Sequence, residues 1–287
     1  MVFSVTFLLY FSQISSFLTL LCVPLRRKMK DLKKITLLLV AFALCFGNNV
    51  CAQESKTAGK FTIVLDAGHG GKDPGCIGKK GGKEKNINLA VTKAVGKLLE
   101  QNQKDMKVVY TRQTDVFVEL NERAAIANRV KADLFVSIHT NALPGGKVNY
   151  GAETYTLGMH RAAENLAVAT RENSVITLEK DYESHYEGFD PNSAESYIIF
   201  EFMQDKNMEK SVHLARLVQK QFRAAGRPDK GVHQAGFLVL RATSMPSCLV
   251  ELGYITGEET YLCSDSGVNQ MSQSIYQAIV NYKKQQK

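Results

Sequence analysis

The sequence predicts a single α/β domain, in which a central sheet is covered by helices on both faces. Short apolar runs rich in β-branched residues alternate with longer segments of helical periodicity, which is typical of such a domain. No internal repeat, low-complexity tract or linker divides the chain after residue 60. The composition, with 45% hydrophobic and 22% charged residues, is that of an ordinary globular protein.

The predicted elements follow one another along the chain from residue 61. Six segments have the pattern of strands, namely 61–66, 107–111, 134–139, 150–157, 236–240 and 247–252. The helical segments are one that begins at Glu84, followed by 119–130, 161–172, 193–225 with a break, and 267–284. Residues 173–192 have no regular pattern. We therefore expect one catalytic domain over residues 61–287, preceded by a polar lead-in at 53–60.

The N-terminus has the pattern of an export signal. From Met29 a Lys-rich start precedes an apolar run of about a dozen residues and then small residues that end at Ala52. We interpret 29–52 as a signal peptide that is cleaved after Ala52, which predicts an exported protein of the periplasm or cell envelope. Residues 1–28 are interpreted as an upstream extension with Met29 as the true start, the alternative being a membrane anchor.

Charge and cysteine content exclude some classes of function. Residues 1–52 hold six of the 36 basic residues and one of the 28 acidic residues, so the net charge of +8 falls to +3 in the remainder. This small excess does not support nucleic-acid binding. The remainder also keeps three cysteines, Cys76, Cys248 and Cys263, which allow at most one disulfide and form no CxxC metal motif.

Three side chains with metal or proton chemistry lie at the ends of predicted strands. His69 follows the first strand, His139 closes the third, and Glu251 lies near the end of the last. Ligands bind beyond the carboxyl ends of strands in open α/β sheets, so these residues are expected to converge. Glu84 joins them if the Gly-rich loop folds back over the same edge.

These residue types suit a catalytic zinc site. Such a site takes three protein ligands, often two His and one carboxylate, and leaves one position for water. A further carboxylate beside the metal is able to act as general base. Each residue alone also has a structural interpretation: a loop or core histidine, a first-turn helix acid, or a carboxylate in an ion pair.

Five motifs in order strengthen the functional interpretation. They are IVLDAGHGGKDPG, Glu84 at a helix start, YTRQTD with ERAAIAN, FVSIHTNA, and MPSCLVELGYIT. Together they resemble the zinc-dependent N-acetylmuramoyl-L-alanine amidases of the AmiC-like catalytic family, over about residues 61–285. The resemblance implies a mixed sheet of about six strands and hydrolysis of the amide between N-acetylmuramic acid and L-alanine in peptidoglycan.

The resemblance also implies roles for four residues. His69, Glu84 and His139 occupy the positions of the zinc ligands, and Glu251 that of the catalytic glutamate. The sequence departs from the family at Tyr254 and the three residues after it, where Phe and Ser-Asn are usual, which puts the geometry of that loop in doubt. We expect peptidoglycan as substrate, Zn²⁺ as cofactor, no nucleic-acid partner and a monomer.

Some members of the family carry an inserted helix whose acid blocks the metal until an activator protein binds. We hypothesise that part of residues 173–207 covers the site, where Glu179, Glu183 and Glu187 would form an acidic stripe on a helix. The alternative is a solvated helix face or a loop.

Two further groups of residues have weaker signals. The remaining histidines are expected to have structural roles, and His233 is the one to test as a substrate contact, whereas Arg112 and Arg123 are expected to brace the sheet and helix. Two other functions stay open: a zinc peptidase that cuts within the stem peptide, and a cell-wall binding protein without turnover.

Overall fold

The computed structural model describes residues 59–160, 162–201 and 206–286. The upstream extension, the predicted signal peptide and residues 53–58 of the lead-in lie outside the described residues. In the described part of the chain, no helix combines the length and the apolar character that a membrane span requires.

Six strands and eight α-helices make up the described domain. The strands are β1 (Phe61–Ala67), β2 (Met106–Tyr110), β3 (Leu134–Asn141), β4 (Ala152–Leu157), β5 (Asp229–Ala235) and β6 (Ser247–Tyr254). The helices are α1 (Glu84–Asn102), α2 (Leu120–Arg129), α3 (Ala163–Asn173), α4 (Tyr182–His185), α5 (Met208–Ala224), α6 (Leu238–Arg241), α7 (Ile255–Leu262) and α8 (Asp265–Gln285). Short 3₁₀ segments lie at Pro144–Gly146, Ser174–Leu178 and Ala194–Glu201.

The strands form one mixed sheet in the order β2-β1-β3-β6-β4-β5. All neighbouring pairs are parallel except β4 and β6, which run antiparallel. This confirms the predicted α/β class and the mixed six-stranded sheet. The parallel strands β1, β3 and β6 end at one edge, where the predicted site residues follow.

Alternation of side chains divides the core between the two faces of the sheet. On β3, Val136 and Ile138 pack into the core beneath α1, α5 and α8, whereas Phe135 packs into the core beneath α2, α3 and α6. The buried strands therefore read as continuous apolar runs, as expected for a sheet covered on both faces. His139 continues the face of Phe135, because side chains two residues apart share a face.

Two sequence predictions are wrong in detail. Residues 236–240 are not a strand: Leu238–Arg241 form the short helix α6, and the strand in this region is β5 at Asp229–Ala235. The acidic stripe is absent from the described residues, since Glu179 is buried and lies outside α4, while Glu183 and Glu187 are exposed.

The three cysteines Cys76, Cys248 and Cys263 are all free thiols.

Candidate functional site

The four predicted site residues meet at the carboxyl edge of the sheet, together with one acid that the sequence analysis missed. His69, Glu84, His139 and Glu172 are all buried, and one ligand atom from each lies within 4.8 Å of the others. Glu251 stands next to His139 on the neighbouring strand, in direct register. The C-terminal halves of β3 and β6 supply His139 and Glu251, whereas a loop and two helices supply the rest.

The ligand atoms are spaced as around a small metal ion. His69 Nε2 lies 3.1 Å from Glu84 Oε1 and 3.1 Å from Glu172 Oε2. His139 Nδ1 lies 3.4 Å from Glu84 Oε1 and 2.9 Å from Glu172 Oε2. Ligands bound to tetrahedral zinc at about 2.0–2.2 Å are separated from one another by about 3.3–3.5 Å. The cluster is thus close to the size of such a site.

The loop after β1 holds His69 in a fixed orientation. Its Nδ1 lies 2.7 Å from Asp73 Oδ2, so Nε2 is directed into the cluster. Metal-binding histidines commonly have such a carboxylate on the other ring nitrogen. The backbone of His69 is left-handed, with φ of 62°, and its carbonyl accepts a 2.9 Å hydrogen bond from Arg123 Nη2. The surrounding contacts maintain a backbone conformation that residues other than glycine rarely adopt.

Glu84 is oriented by backbone donors at the start of α1. Oε1 accepts from the Thr140 N–H at 2.8 Å and from Asn88 Nδ2 at 3.3 Å, and Oε2 accepts from the Cys76 N–H at 2.8 Å. The Gly-rich loop does fold back, because the Glu84 N–H in turn donates to the Cys76 carbonyl at 2.9 Å. These bonds hold the carboxylate against both histidines.

Two glycines make room for the ligand side chains. A Cβ on Gly68 would lie 2.3 Å from His139 Nε2, so only glycine lets the imidazole pack against this backbone. Gly75 has φ of +64°, and a Cβ there would lie 2.7 Å from both Glu84 Oε2 and His69 Cδ2. The Gly-rich sequence therefore serves close packing around the cluster.

Arg112 and Arg123 brace the loop, as the sequence predicts. Arg123 Nη1 pairs with buried Asp66 at 2.8 Å and also donates to the Ala67 carbonyl. Arg112 donates to the carbonyls of Ala67 at 2.8 Å and Gly68 at 2.9 Å. The two guanidinium groups satisfy backbone acceptors at the end of β1, which would otherwise be buried without partners.

Glu172 is the residue that sequence reasoning missed. It is the penultimate residue of α3, one position before the segment 173–207 that was expected to cover the site. The end of α3 is anchored by Asn173, whose side chain donates to the Gly236 carbonyl at 2.7 Å and accepts from the Leu238 N–H at 2.9 Å. The sequence did contain a signal for Glu172. An acid near a helix C-terminus interacts unfavourably with the helix dipole, so its presence there indicates a role other than helix stabilisation.

Arg171 links Glu172 to Glu251. Its guanidinium donates to Glu172 Oε1 through Nη2 at 2.8 Å and Nε at 3.0 Å. The same Nη2 lies 3.7 Å from Glu251 Oε1. Within the described part of the chain, neither oxygen of the fully buried Glu251 has a hydrogen-bond partner. Glu251 is therefore a buried carboxyl group that faces one cation and the cluster.

The pKa values of Glu251, His139 and His69 are all raised, but for different reasons. Burial, followed by the charge of Glu172, raises the pKa of Glu251 well above the ordinary value for Glu, while Arg171 opposes this. Burial lowers the pKa of His139, but the carboxylates of Glu172 and Glu84 outweigh it and raise the pKa to about 9. For His69, too, burial lowers the pKa, and contacts with Glu84 and Asp73 raise it well above 6.5.

The cluster fits a divalent cation by an independent criterion. His69 Nε2, His139 Nδ1 and Glu172 Oε2 are buried without hydrogen-bond partners in the described structure, yet all three point to one centre. Buried polar atoms without partners are costly, and a bound ion would satisfy them together. Two imidazoles with carboxylates form a donor set that suits zinc.

Next to the cluster, a cavity adjoins Glu251 on the side away from β3. Its volume is about 810 Å³, and its wall includes α3, with Arg171 among the lining residues. His233, the histidine to test as a substrate contact, lies in this wall and not in the cluster, with Nε2 at 3.6 Å from Glu153 Oε2. His233 thus lies within a cavity adjoining the cluster, and its role there stays a prediction.

Comparison with known proteins agrees with the fold and the motifs. A family model described as N-acetylmuramoyl-L-alanine amidase matches residues 63–281. The chain is 32% identical to N-acetylmuramoyl-L-alanine amidase AmiA of Escherichia coli (strain K12) over 232 residues, which is 79% of this chain and 78% of the relative.

Solved structures give the same result. N-acetylmuramoyl-L-alanine amidase AmiC2 of Nostoc punctiforme superposes with a TM-score of 0.57 at 32% identity, covering 79% of this chain and 98% of that chain. The catalytic domain of the amidase CwlV from Bacillus (Paenibacillus) polymyxa var. colistinus gives 0.56 at 31% identity, covering 78% and 98%. The match over most of both chains, added to the ordered motifs and the buried cluster, places this chain in the N-acetylmuramoyl-L-alanine amidase family.

Proposed function

We propose that the protein hydrolyses the amide between N-acetylmuramic acid and L-alanine of peptidoglycan, with zinc held by His69, Glu84 and His139. The observation that carries this proposal is the convergence of those three ligand atoms with Glu251 directly beside them. A zinc ion, when bound, polarises the amide carbonyl and makes water more acidic.

Glu251 is the general base in this proposal. Its raised pKa and its full burial suit a group that takes a proton from water and passes it to the leaving nitrogen. His69 and His139 are kept as neutral ligands by the ion, and Asp73 fixes the orientation of the first of them. Arg112 and Arg123 support the loop and do not take part in proton transfer.

Glu172 keeps the site closed in this proposal. Its Oε2 fills the position between the two histidines where water would otherwise bind, at 3.1 Å and 2.9 Å from their nitrogens. A site with four protein ligands resembles a structural zinc site more than a catalytic one, which needs an open position. We infer that α3 must move before substrate is hydrolysed, and that a protein partner in the cell envelope causes this movement.

The place of action follows from the substrate. We propose that residues 29–52 direct export and that the enzyme acts in the periplasm or cell envelope as a monomer. N-terminal sequencing of the protein purified from the envelope fraction tests this, and a mature chain that begins at Gln53 is the expected result. Recovery from the cytosol with Met29 retained would contradict it.

The decisive experiment combines metal analysis with digestion of purified peptidoglycan. We expect about one zinc ion per chain, low hydrolysis by the wild type, and higher hydrolysis by Glu172→Ala. Addition of Glu251→Gln to that variant should leave the metal bound and abolish hydrolysis. Hydrolysis that survives Glu251→Gln would remove this residue from the mechanism.

Mass analysis of the released fragments identifies the bond that is cut. Muramic acid with a free lactyl carboxylate and intact peptides is expected for the amidase. Shortened peptides that are still attached to the sugar would point to the zinc peptidase instead, and the absence of any product from the Glu172→Ala variant would favour a binding protein without turnover.

A further inference from the structure

The cavity beside Glu251 contains a buried carboxylate that the proposed hydrolysis does not use. Glu153 on β4 lies directly opposite Glu251 on β6, and opposite residues of an antiparallel pair point to the same face of the sheet. His139 on β3 pairs with Glu251 from the other side. A row of three side chains, His139, Glu251 and Glu153, therefore leads from the metal cluster into the cavity.

Glu153 is held firmly in place. Its side chain is 7% exposed, and Oε1 accepts hydrogen bonds from Asn141 Nδ2 at 2.5 Å and from the Tyr254 hydroxyl at 2.9 Å. The other oxygen lies 3.6 Å from His233 Nε2, beyond hydrogen-bond distance, and this Nε2 already donates to the Lys230 carbonyl at 2.9 Å. A carboxylate has about four acceptor sites, so capacity remains for a further donor.

The sheet itself is irregular at this point. Ala152 pairs with Asp229 and Thr154 with Val232, so Lys230 and Gly231 together lie across from Glu153. Such bulges frequently occur next to functional sites, where they redirect side chains. Here the bulge brings Lys230 to the wall of the cavity, which Lys147 also lines.

The cavity wall carries charges of both signs. Its carboxylates are those of Glu153 and Glu164, and its cations are Arg171 and the exposed Lys147 and Lys230. Apolar side chains such as Leu143 and Val168 also line it. A wall with both signs of charge complements a short peptide with a positive N-terminus and carboxylates further along.

We propose that this cavity binds the peptide leaving group and that Glu153 binds its newly formed ammonium; the inference rests on the proposed amidase function. In the hydrolysis, the water oxygen forms a bond to the carbonyl carbon, and the C–N bond breaks with its electron pair remaining on nitrogen. Both water protons end on that nitrogen. The products are a carboxylate on the sugar side and an ammonium on the peptide side. Because this ammonium forms beside Glu251, the anion that binds it must lie within reach of Glu251.

The test measures the affinity of the protein for L-alanyl-γ-D-glutamyl-lysine with a fluorophore on the lysine, by fluorescence anisotropy. The wild type is expected to bind this peptide at least about fivefold more tightly than its N-acetylated form, because only the free ammonium donates a charge-assisted hydrogen bond to Glu153. Glu153→Gln should bind both forms equally. Glu164→Gln, which removes another acid from the same cavity wall, should keep the preference.

A second variant guards against misfolding. Glu153→Asp keeps the charge and should retain part of the preference, while thermal melting confirms that each variant is folded. Equal binding of both peptides by the wild type, or an unchanged preference in folded Glu153→Gln, would overturn the assignment. Digestion of peptidoglycan by the same preparations is measured separately, so that failure of the amidase function is distinguished from failure of this site.

Discussion

Replacement of Glu172 by alanine tests whether α3 holds the enzyme inactive. In the closed structure the Glu172 carboxylate makes two contacts that open on withdrawal, to His69 Nε2 and His139 Nδ1. Its hydrogen bonds to Arg171 do not contribute to the free-energy difference between the closed and open states, because Arg171 belongs to the same helix and moves with it. Only the two contacts with the histidines therefore favour closure directly.

The size of the effect follows from these contacts. These are buried charge contacts, and removal of one partner of such a contact costs about 3–5 kcal/mol, so loss of the Glu172 carboxylate removes at least about 3 kcal/mol from the closed state. This corresponds to a shift of about 100-fold in the ratio of closed to open molecules. We expect Glu172→Ala to hydrolyse purified peptidoglycan at least tenfold faster than the wild type when no partner is present.

The assay follows the release of soluble muropeptides from purified peptidoglycan over time, at equal metal content. Glu183→Ala is the matched control, because Glu183 lies in the segment that follows α3 but is exposed. It should behave as the wild type. Equal rates for Glu172→Ala and the wild type, with zinc bound in both, would refute the argument that this carboxylate blocks the site.

Three further predictions follow from the site. Gly68→Ala should weaken zinc binding strongly and lower the melting temperature only slightly, since its Cβ would lie 2.3 Å from His139 Nε2. Unchanged affinity by metal titration would contradict this. Arg123→Met leaves the Asp66 carboxylate buried and unpaired, so urea unfolding should show a loss of about 3–5 kcal/mol; a loss below 1 kcal/mol would show that Asp66 is otherwise compensated. Zinc binding should release protons below pH 9 and strengthen as pH rises, because the pKa of His139 is raised to about 9 in the metal-free site and its proton must leave before the metal binds. Calorimetry in buffers of different ionisation enthalpy counts these protons, and no release at pH 7 would refute the shift.

The ligand positions were accessible from sequence because strand ends and motifs define them. His139 and Glu251 lie in the C-terminal halves of buried strands and pair directly with each other, which places both on one face. Glu84 was predictable as the first residue of a helix with clear apolar periodicity. Their roles stay predictions until metal and turnover are measured.

Other features were not accessible for physical reasons. The run Gly236–Leu240 is apolar throughout, and a short run buried on every side has no period that separates a strand from a helical turn. In the structure Phe237, Leu238, Val239 and Leu240 are indeed all buried. The strand β5 was missed because its sequence is polar and it lies at the edge of the sheet. Glu172 reaches the cluster through tertiary packing of α3, and the only local signal for it is its unfavourable position near the C-terminus of that helix.

The adjacency of Arg171 and Glu172 has a consequence for how the enzyme is switched on. Successive side chains of a rigid helix travel together, so a displacement that frees the metal position also takes the guanidinium away from Glu251. The electrophilic centre and the proton acceptor are then released in one step. A partner that binds only α3 would therefore be sufficient to convert the enzyme from its inactive to its active state.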